Sequence, residues 1–166
     1  MNRRQTLRAG ASLLGLFAGS RLMETVAGPA RAAGFEVERS EAAWRSLLSP
    51  AAYAVLREHG TERAHTSPLD GEKRPGRFVC AGCDLPLFAS QTKFDSGTGW
   101  PSFFEPLPGA VGTQVDTAYG LRRTEVHCRR CGGHLGHVFE DGPRPTGLRY
   151  CMNGVSLRFE PAAGPA

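Results

Sequence analysis

No stretch of this 166-residue chain is apolar for long enough to cross a bilayer as a helix. There is no internal repeat beyond one doubled C-x-x-C pattern, and no low-complexity segment. Long helices are missing too, because beyond Gly60 glycine and proline recur too often to allow them. The body of the chain also lacks surplus charge, although the whole carries +4. Residues 1–32 hold five arginines and one acid, Glu24, which accounts for all of that +4 and leaves the remainder formally neutral. A nucleic-acid binder carries its positive charge on the folded domain, so no nucleic-acid partner is expected. Finally, one cysteine lacks a partner. Four of the five cysteines fall into the pairs Cys80/Cys83 and Cys128/Cys131, and Cys151 stands alone.

What is present begins with a leader. "MNRRQTLRAG" places Arg3, Arg4 and Arg8 ahead of the short apolar run "ASLLGLFAG", and "ARA" closes the segment at Ala30–Ala32. Charged start, apolar middle and small-residue end read as a secretory signal, to be kept out of the fold. The adjacent Arg3-Arg4 resemble its twin-arginine form. The alternatives are a basic amphipathic N-terminus and an uncleaved anchor. Residues 1–32 are therefore assigned to a signal, 33–160 to one domain and 161–166 ("PAAGPA") to a loose tail. The expected location is periplasmic or otherwise exported, and membrane-anchored if the signal is not cleaved.

Two short helices are expected near the start of the domain. Ser40 is placed to cap "EAAWRSLL", with Glu41 in its first turn. Ser49 and Pro50 open "SPAAYAVLREHG", and Gly60 is expected to close it in the left-handed conformation. Beyond it come "RFVC", "LPLFA", "LRRTEVHC", "HVFE" and "LRYCMNGVSLRF", short apolar runs between turns. They predict short strands.

Cys80-Ala81-Gly82-Cys83 and Cys128-Arg129-Arg130-Cys131 each follow a strand-like run, with glycines placed for tight turns. Four thiolates in two such knuckles suit one structural zinc ion per chain. The 44 residues between the pairs predict that the metal pins two distant hairpins. Two structural disulfides, or a redox C-x-x-C, are the competing readings.

The lone Cys151 has Arg149 and Asn153 two residues to either side. If "LRYCMNGVSLRF" is one strand, Arg149, Cys151, Asn153, Val155, Leu157 and Phe159 share a face. A free thiol is only about 3% ionised at pH 7, and lowering its pKa to about 7 takes roughly 2 kcal/mol. Arg149 and a nearby histidine are expected to supply that. His134 and His137 lie three apart among glycines in "GGHLGHVFEDGP", an acid–base environment for a nucleophile. The bland alternatives are a buried small thiol for Cys151 and a core position for Trp100 in "KFDSGTGWPSFF".

Taken together, "LSPAAYAVLREHGTERAHTSPL", "CAGCDLPLF", "KFDSGTGWPSFF", "CRRCGGHLGHVFEDGP" and "LRYCMNGVSLRF" resemble, in order, the B-type methionine sulfoxide reductases. The resemblance implies a mainly β fold of two antiparallel sheets (β-tent, Mss4-like) with two short N-terminal helices and a four-cysteine zinc site. It implies reduction of the R epimer of methionine sulfoxide, in oxidised proteins or peptides, by Cys151 as nucleophile. His137, Arg149 and Asn153 join Cys151 as catalytic residues, and Trp100, His134 and Phe139 bind substrate. Cys80, Cys83, Cys128 and Cys131 become the zinc ligands. Many members carry a resolving cysteine in "SGCGWPSF"; here that position is Thr98. A monomer, regenerated from a sulfenic acid by a thioredoxin-like or other external thiol, is therefore expected. Two rivals differ in class. One is a zinc-ribbon-like binding module with a non-catalytic Cys151, and the other is a Cys–His acyl hydrolase.

Overall fold

The computed structural model describes residues 34–163. The arginine-rich leader assigned to 1–32 lies outside the described residues, as do residues 164–166 of the tail.

The helices form where their caps are written. α1 (Glu41–Leu47) starts at Ser40, whose hydroxyl accepts the Ala43 N–H. α2 (Pro50–Glu58) starts at Ser49, with Pro50 in the first turn and the Ala52 N–H on the serine hydroxyl. Its end differs from expectation. The left-handed residue is His59, with φ 55, and not Gly60. Gly60 serves by close approach: its N–H reaches Ala54 O at 2.8 Å, and an added Cβ would sit 2.9 Å from that oxygen.

Nine short strands follow among the described residues, in two sheets. β1 (Gly76–Cys80), β2 (Pro86–Ala89) and β9 (Leu157–Pro161) make a three-stranded sheet in the order β2-β1-β9. β3 (Lys93–Phe94), β4 (Ser102–Phe103), β5 (Val111–Asp116), β6 (Arg123–Cys128), β7 (His134–Phe139) and β8 (Arg149–Met152) make the second, ordered β3-β4-β8-β7-β6-β5. All pairings are antiparallel. The mainly β architecture with two sheets and two helices is the one expected.

Aromatic side chains join the sheets. Phe78 and Phe88 from the small sheet and Phe103 from the large one are fully buried. Phe88 stacks on Phe103 at 4.3 Å between centroids, and Phe78 meets Phe103 edge-on at 4.9 Å. Truncating such a side chain costs about 3–5 kcal/mol. Helix α2 lays Leu56 and Tyr53 into the same core.

The stretch "LRYCMNGVSLRF" is not one strand. It breaks at Asn153 into β8, a 3₁₀ turn over Gly154–Ser156, and β9, which belongs to the other sheet. The cause is local hydrogen bonding. The Asn153 N–H and its amide NH₂ both donate to Leu135 O, its Oδ1 accepts the Glu62 N–H at 3.0 Å, and Ser156 Oγ donates to Asn153 O at 2.7 Å. Arg149 and Cys151 keep their common face, but Val155, Leu157 and Phe159 do not share it. At the far end β9 runs through Pro161, and the Ala162 N–H donates to Pro75 O, so the expected loose tail is still paired where it begins.

Candidate active site and metal centre

Cys80 ends β1 and Cys83 sits on the turn after it; Cys128 ends β6 and Cys131 sits on the turn after that. The two knuckles match bond for bond. Asp84 N–H donates to Cys80 O and Gly132 N–H to Cys128 O, both at 2.9 Å, and Gly132 needs its φ of 68 for the turn. One knuckle belongs to each sheet, as the sequence spacing predicted for distant hairpins. The four Sγ atoms all lie within 4.8 Å of one another, with Cys80–Cys131 at 3.7 Å and Cys83–Cys128 at 3.5 Å. Disulfide sulfurs stand about 2.05 Å apart, and all five cysteines are free. Thiolates at about 2.3 Å from a tetrahedral ion stand roughly 3.8 Å apart. The cluster therefore fits a metal ion, closed on all four sides by sulfur. Arg57 from α2 braces it, donating to Cys131 O at 3.0 Å.

Cys151 lies inside the large sheet, opposite Ser102 of β4 on one side and His137 of β7 on the other. Directly opposed residues of an antiparallel pair share a face. Cys151 and His137 accordingly border one cavity of about 140 Å³, lined also by Thr61, Trp100, Arg123, Gly136, Phe139 and Asn153. The indole comes from the turn-rich segment Asp95–Trp100, where Gly97 (φ 71) and Gly99 (φ 85) adopt left-handed backbone. Its Nε1–H donates to Glu62 O at 3.2 Å, which fixes the ring as a wall.

Of the residues named from sequence, the cavity brings together Cys151, His137, Asn153, Trp100 and Phe139. Arg149 stands just outside its lining, over the Phe139 ring at 4.4 Å. His134 lies deeper: its Nδ1 meets Glu125 Oε1 at 2.7 Å, its Nε2 is buried without a partner among the described residues, and its ring is 5.4 Å from that of His137.

The thiol is not activated in the way expected. Burial pushes the Cys151 thiol up, against the smaller opposing pull of the Thr98 hydroxyl and the Arg149 charge. The physical reason is visible in Arg149, whose Nε and Nη2 are both committed to Asp141, at 2.9 and 2.8 Å. A guanidinium paired with a carboxylate lends little field to a half-buried thiol. Thr98 Oγ1 is 3.9 Å from Cys151 Sγ and is tied to Ser96, which is tied in turn to Ser102.

Sequence reasoning did not find Asp116, Arg123, Thr61 or Glu62. Asp116 Oδ2 meets His137 Nε2 at 2.8 Å and Arg123 Nη2 at 2.6 Å. Opposite charges seven residues apart across a hairpin tip were a usable signal for that pair. Thr61 and Glu62 follow α2 in a loop without periodicity. Only the fold brings Glu62 to Asn153 and to the Gly154 and Val155 N–H groups, which its carboxylate accepts.

Comparison with known proteins covers the same region. The SelR domain family matches residues 48–161. A protein of Agrobacterium fabrum named peptide methionine sulfoxide reductase MsrB is 58% identical over 127 residues, 76% of this chain and 94% of its own length. Proteins of the same name from Leptospira interrogans and Thiobacillus denitrificans are 52% and 56% identical, over 76% and 74% of this chain and 97% and 94% of their own lengths.

Proposed function

The chain belongs to the SelR-domain family of MsrB-type methionine sulfoxide reductases, and on that premise we propose that it reduces the R epimer of peptide-bound methionine sulfoxide through Cys151. The observation that carries this reading is a thiol, an indole and an imidazole converging on one small cavity. The cavity has room for a methyl sulfoxide and little else. The Trp100 face takes the methyl group, the oxygen turns toward His137, and the peptide leaves through the open side. Fixing methyl and oxygen on different walls is what makes the site choose one epimer.

The Cys151 sulfur attacks the sulfoxide sulfur, the S–O bond breaks, and oxygen ends on Cys151. The products are a thioether and a sulfenic acid, with the thiol proton carried to the oxygen, so the step balances without another reactant. An external thiol then displaces water from the sulfenic acid to give a mixed disulfide. A second thiol releases Cys151 as the free thiol.

Cys80, Cys83, Cys128 and Cys131 would hold zinc, which when bound supplies a structural tie and no redox chemistry. We also propose that the leader directs export, which would place repair where oxidants arrive from outside. Reduction of an N-acetylated methionine sulfoxide amide with dithiothreitol tests the activity. The wild type should produce the thioether and Cys151→Ser none, whereas thioether production by Cys151→Ser would contradict the reading.

A further inference from the structure

Asp116, at the end of β5, holds the imidazole that faces Cys151. Its Oδ2 contacts both His137 Nε2 at 2.8 Å and Arg123 Nη2 at 2.6 Å, and its Oδ1 accepts the Ala118 N–H at 2.8 Å. A carboxylate fixed in this way cannot swing away from the ring. With Nε2 committed to Asp116, Nδ1 is the ring nitrogen that can face the reacting atoms. His137 and Cys151 are direct partners in the β7–β8 ladder, with Cβ atoms about 4.5–5.5 Å apart in such pairs.

We propose that Cys151, His137 and Asp116 form a nucleophile, a proton carrier and a positioning carboxylate, linked in that order. The proposal deepens the reading of Cys151 as the reducing thiol and rests on it. Such a chain is needed because Cys151 is half-buried, which raises its thiol pKa, and Arg149 is already paired with Asp141, so the resting thiol keeps its proton. The proton passes from Sγ to His137 Nδ1, and Asp116 stabilises the imidazolium. The freed electron pair on sulfur attacks the sulfoxide sulfur. The same proton then passes from Nδ1 to the departing oxygen, so nothing is gained or lost overall.

The groups around His137 set the signs. Asp116 of β5 and Glu125, the ladder partner of His137 in β6, favour the imidazolium, while Arg123 of β6 opposes it. His134 on the same strand is tied to Glu125, as is His59 beyond α2. From β8 come Cys151 and Arg149, the latter neutralised by Asp141. Removing the charge of Asp116 must therefore destabilise the imidazolium, and removing that of Arg123 must stabilise it.

The test uses the full-length, metal-loaded protein without substrate. Iodoacetamide labelling of Cys151 is followed against pH by the mass of its peptide. Asp116→Asn should slow labelling at pH 7 about ten-fold, and Asp116→Glu should recover much of it. Arg123→Met should change the labelling rate in the opposite direction, speeding it at pH 7, which a merely structural role would not do. Unchanged labelling in Asp116→Asn, or labelling slowed in both Asp116→Asn and Arg123→Met, would overturn the proposal. These readouts need no sulfoxide, so a wild type that fails to reduce sulfoxide would contradict the reductase reading and not this one.

Discussion

Thr98 stands 3.9 Å from the Cys151 sulfur, where a second thiol could close a disulfide with little movement. Instead it offers a hydroxyl held by Ser96. The remaining four thiols are gathered in the metal cluster, so an oxidised Cys151 has no partner within the chain. With one equivalent of substrate and no reductant, the protein should stop as a sulfenic acid that dimedone traps. Its intact mass should rise by one oxygen; a loss of two hydrogens would show an internal disulfide and contradict this account. Thr98→Cys should produce that loss. Trp100 has a separate role. Trp100→Ala should lower kcat/KM by about ten-fold or more through weaker sulfoxide binding, while leaving iodoacetamide labelling of Cys151 intact. Equal loss of both would mean the indole only supports the fold.

The knuckles join elements that the chain keeps far apart, and each sheet supplies one of them. Structural zinc in small peptides is worth about 10–16 kcal/mol, comparable to the whole stability of a domain. Cys83→Ser should therefore release the metal and leave a protein without a cooperative thermal transition. Cys151→Ser should keep one metal ion per chain, measured by inductively coupled plasma mass spectrometry. Metal loss from the Cys151 variant would mean the cysteines are divided wrongly.

At this scale the sequence was readable where one residue decides locally. Ser40, Ser49 and Pro50 set helix starts, and the C-x-x-C pairs set the turns. It misled where a tertiary partner decides. Asn153 ends β8 because Leu135 O and the Glu62 N–H, remote in sequence, satisfy its amide. His59, and not Gly60, takes the left-handed place, because Gly60 is used for its closeness to Ala54 O.

For the molecule as a whole, the mainly β architecture and the four-cysteine cluster were legible from pattern, whereas the charge pairs around Cys151 were not. Arg149 is quenched by Asp141, and His137 is held by Asp116, across distances that no local period encodes. Such pairs also set the pH response. Hydrogen bonds from Arg74 hold the Glu72 carboxyl at about 2, against an ordinary 4.5. Asp116 is held low by the Ala118 N–H, His137 and Arg123. A depressed carboxyl binds fewer protons in the folded state, so its contribution is present above about 4.5 and lost as pH falls toward 2. The urea midpoint should be level near neutrality and decline through that window. A midpoint that held steady to pH 2 would contradict these pairings. As for export, replacing Arg3-Arg4 by two lysines should retain the precursor in the cytoplasm, and undiminished export would refute a twin-arginine route.

The most direct test of the central claim is a stereochemical one. Separated R and S epimers of an N-acetylated methionine sulfoxide amide are offered, with dithiothreitol, to the metal-loaded protein, and each is followed by chromatography. On the proposed reading the methyl is held on Trp100 and the oxygen toward His137, which admits one handedness. The family resemblance implies the R epimer, so the R epimer should be consumed and the S epimer left. Consumption of both at similar rates, or of the S epimer alone, would contradict the account.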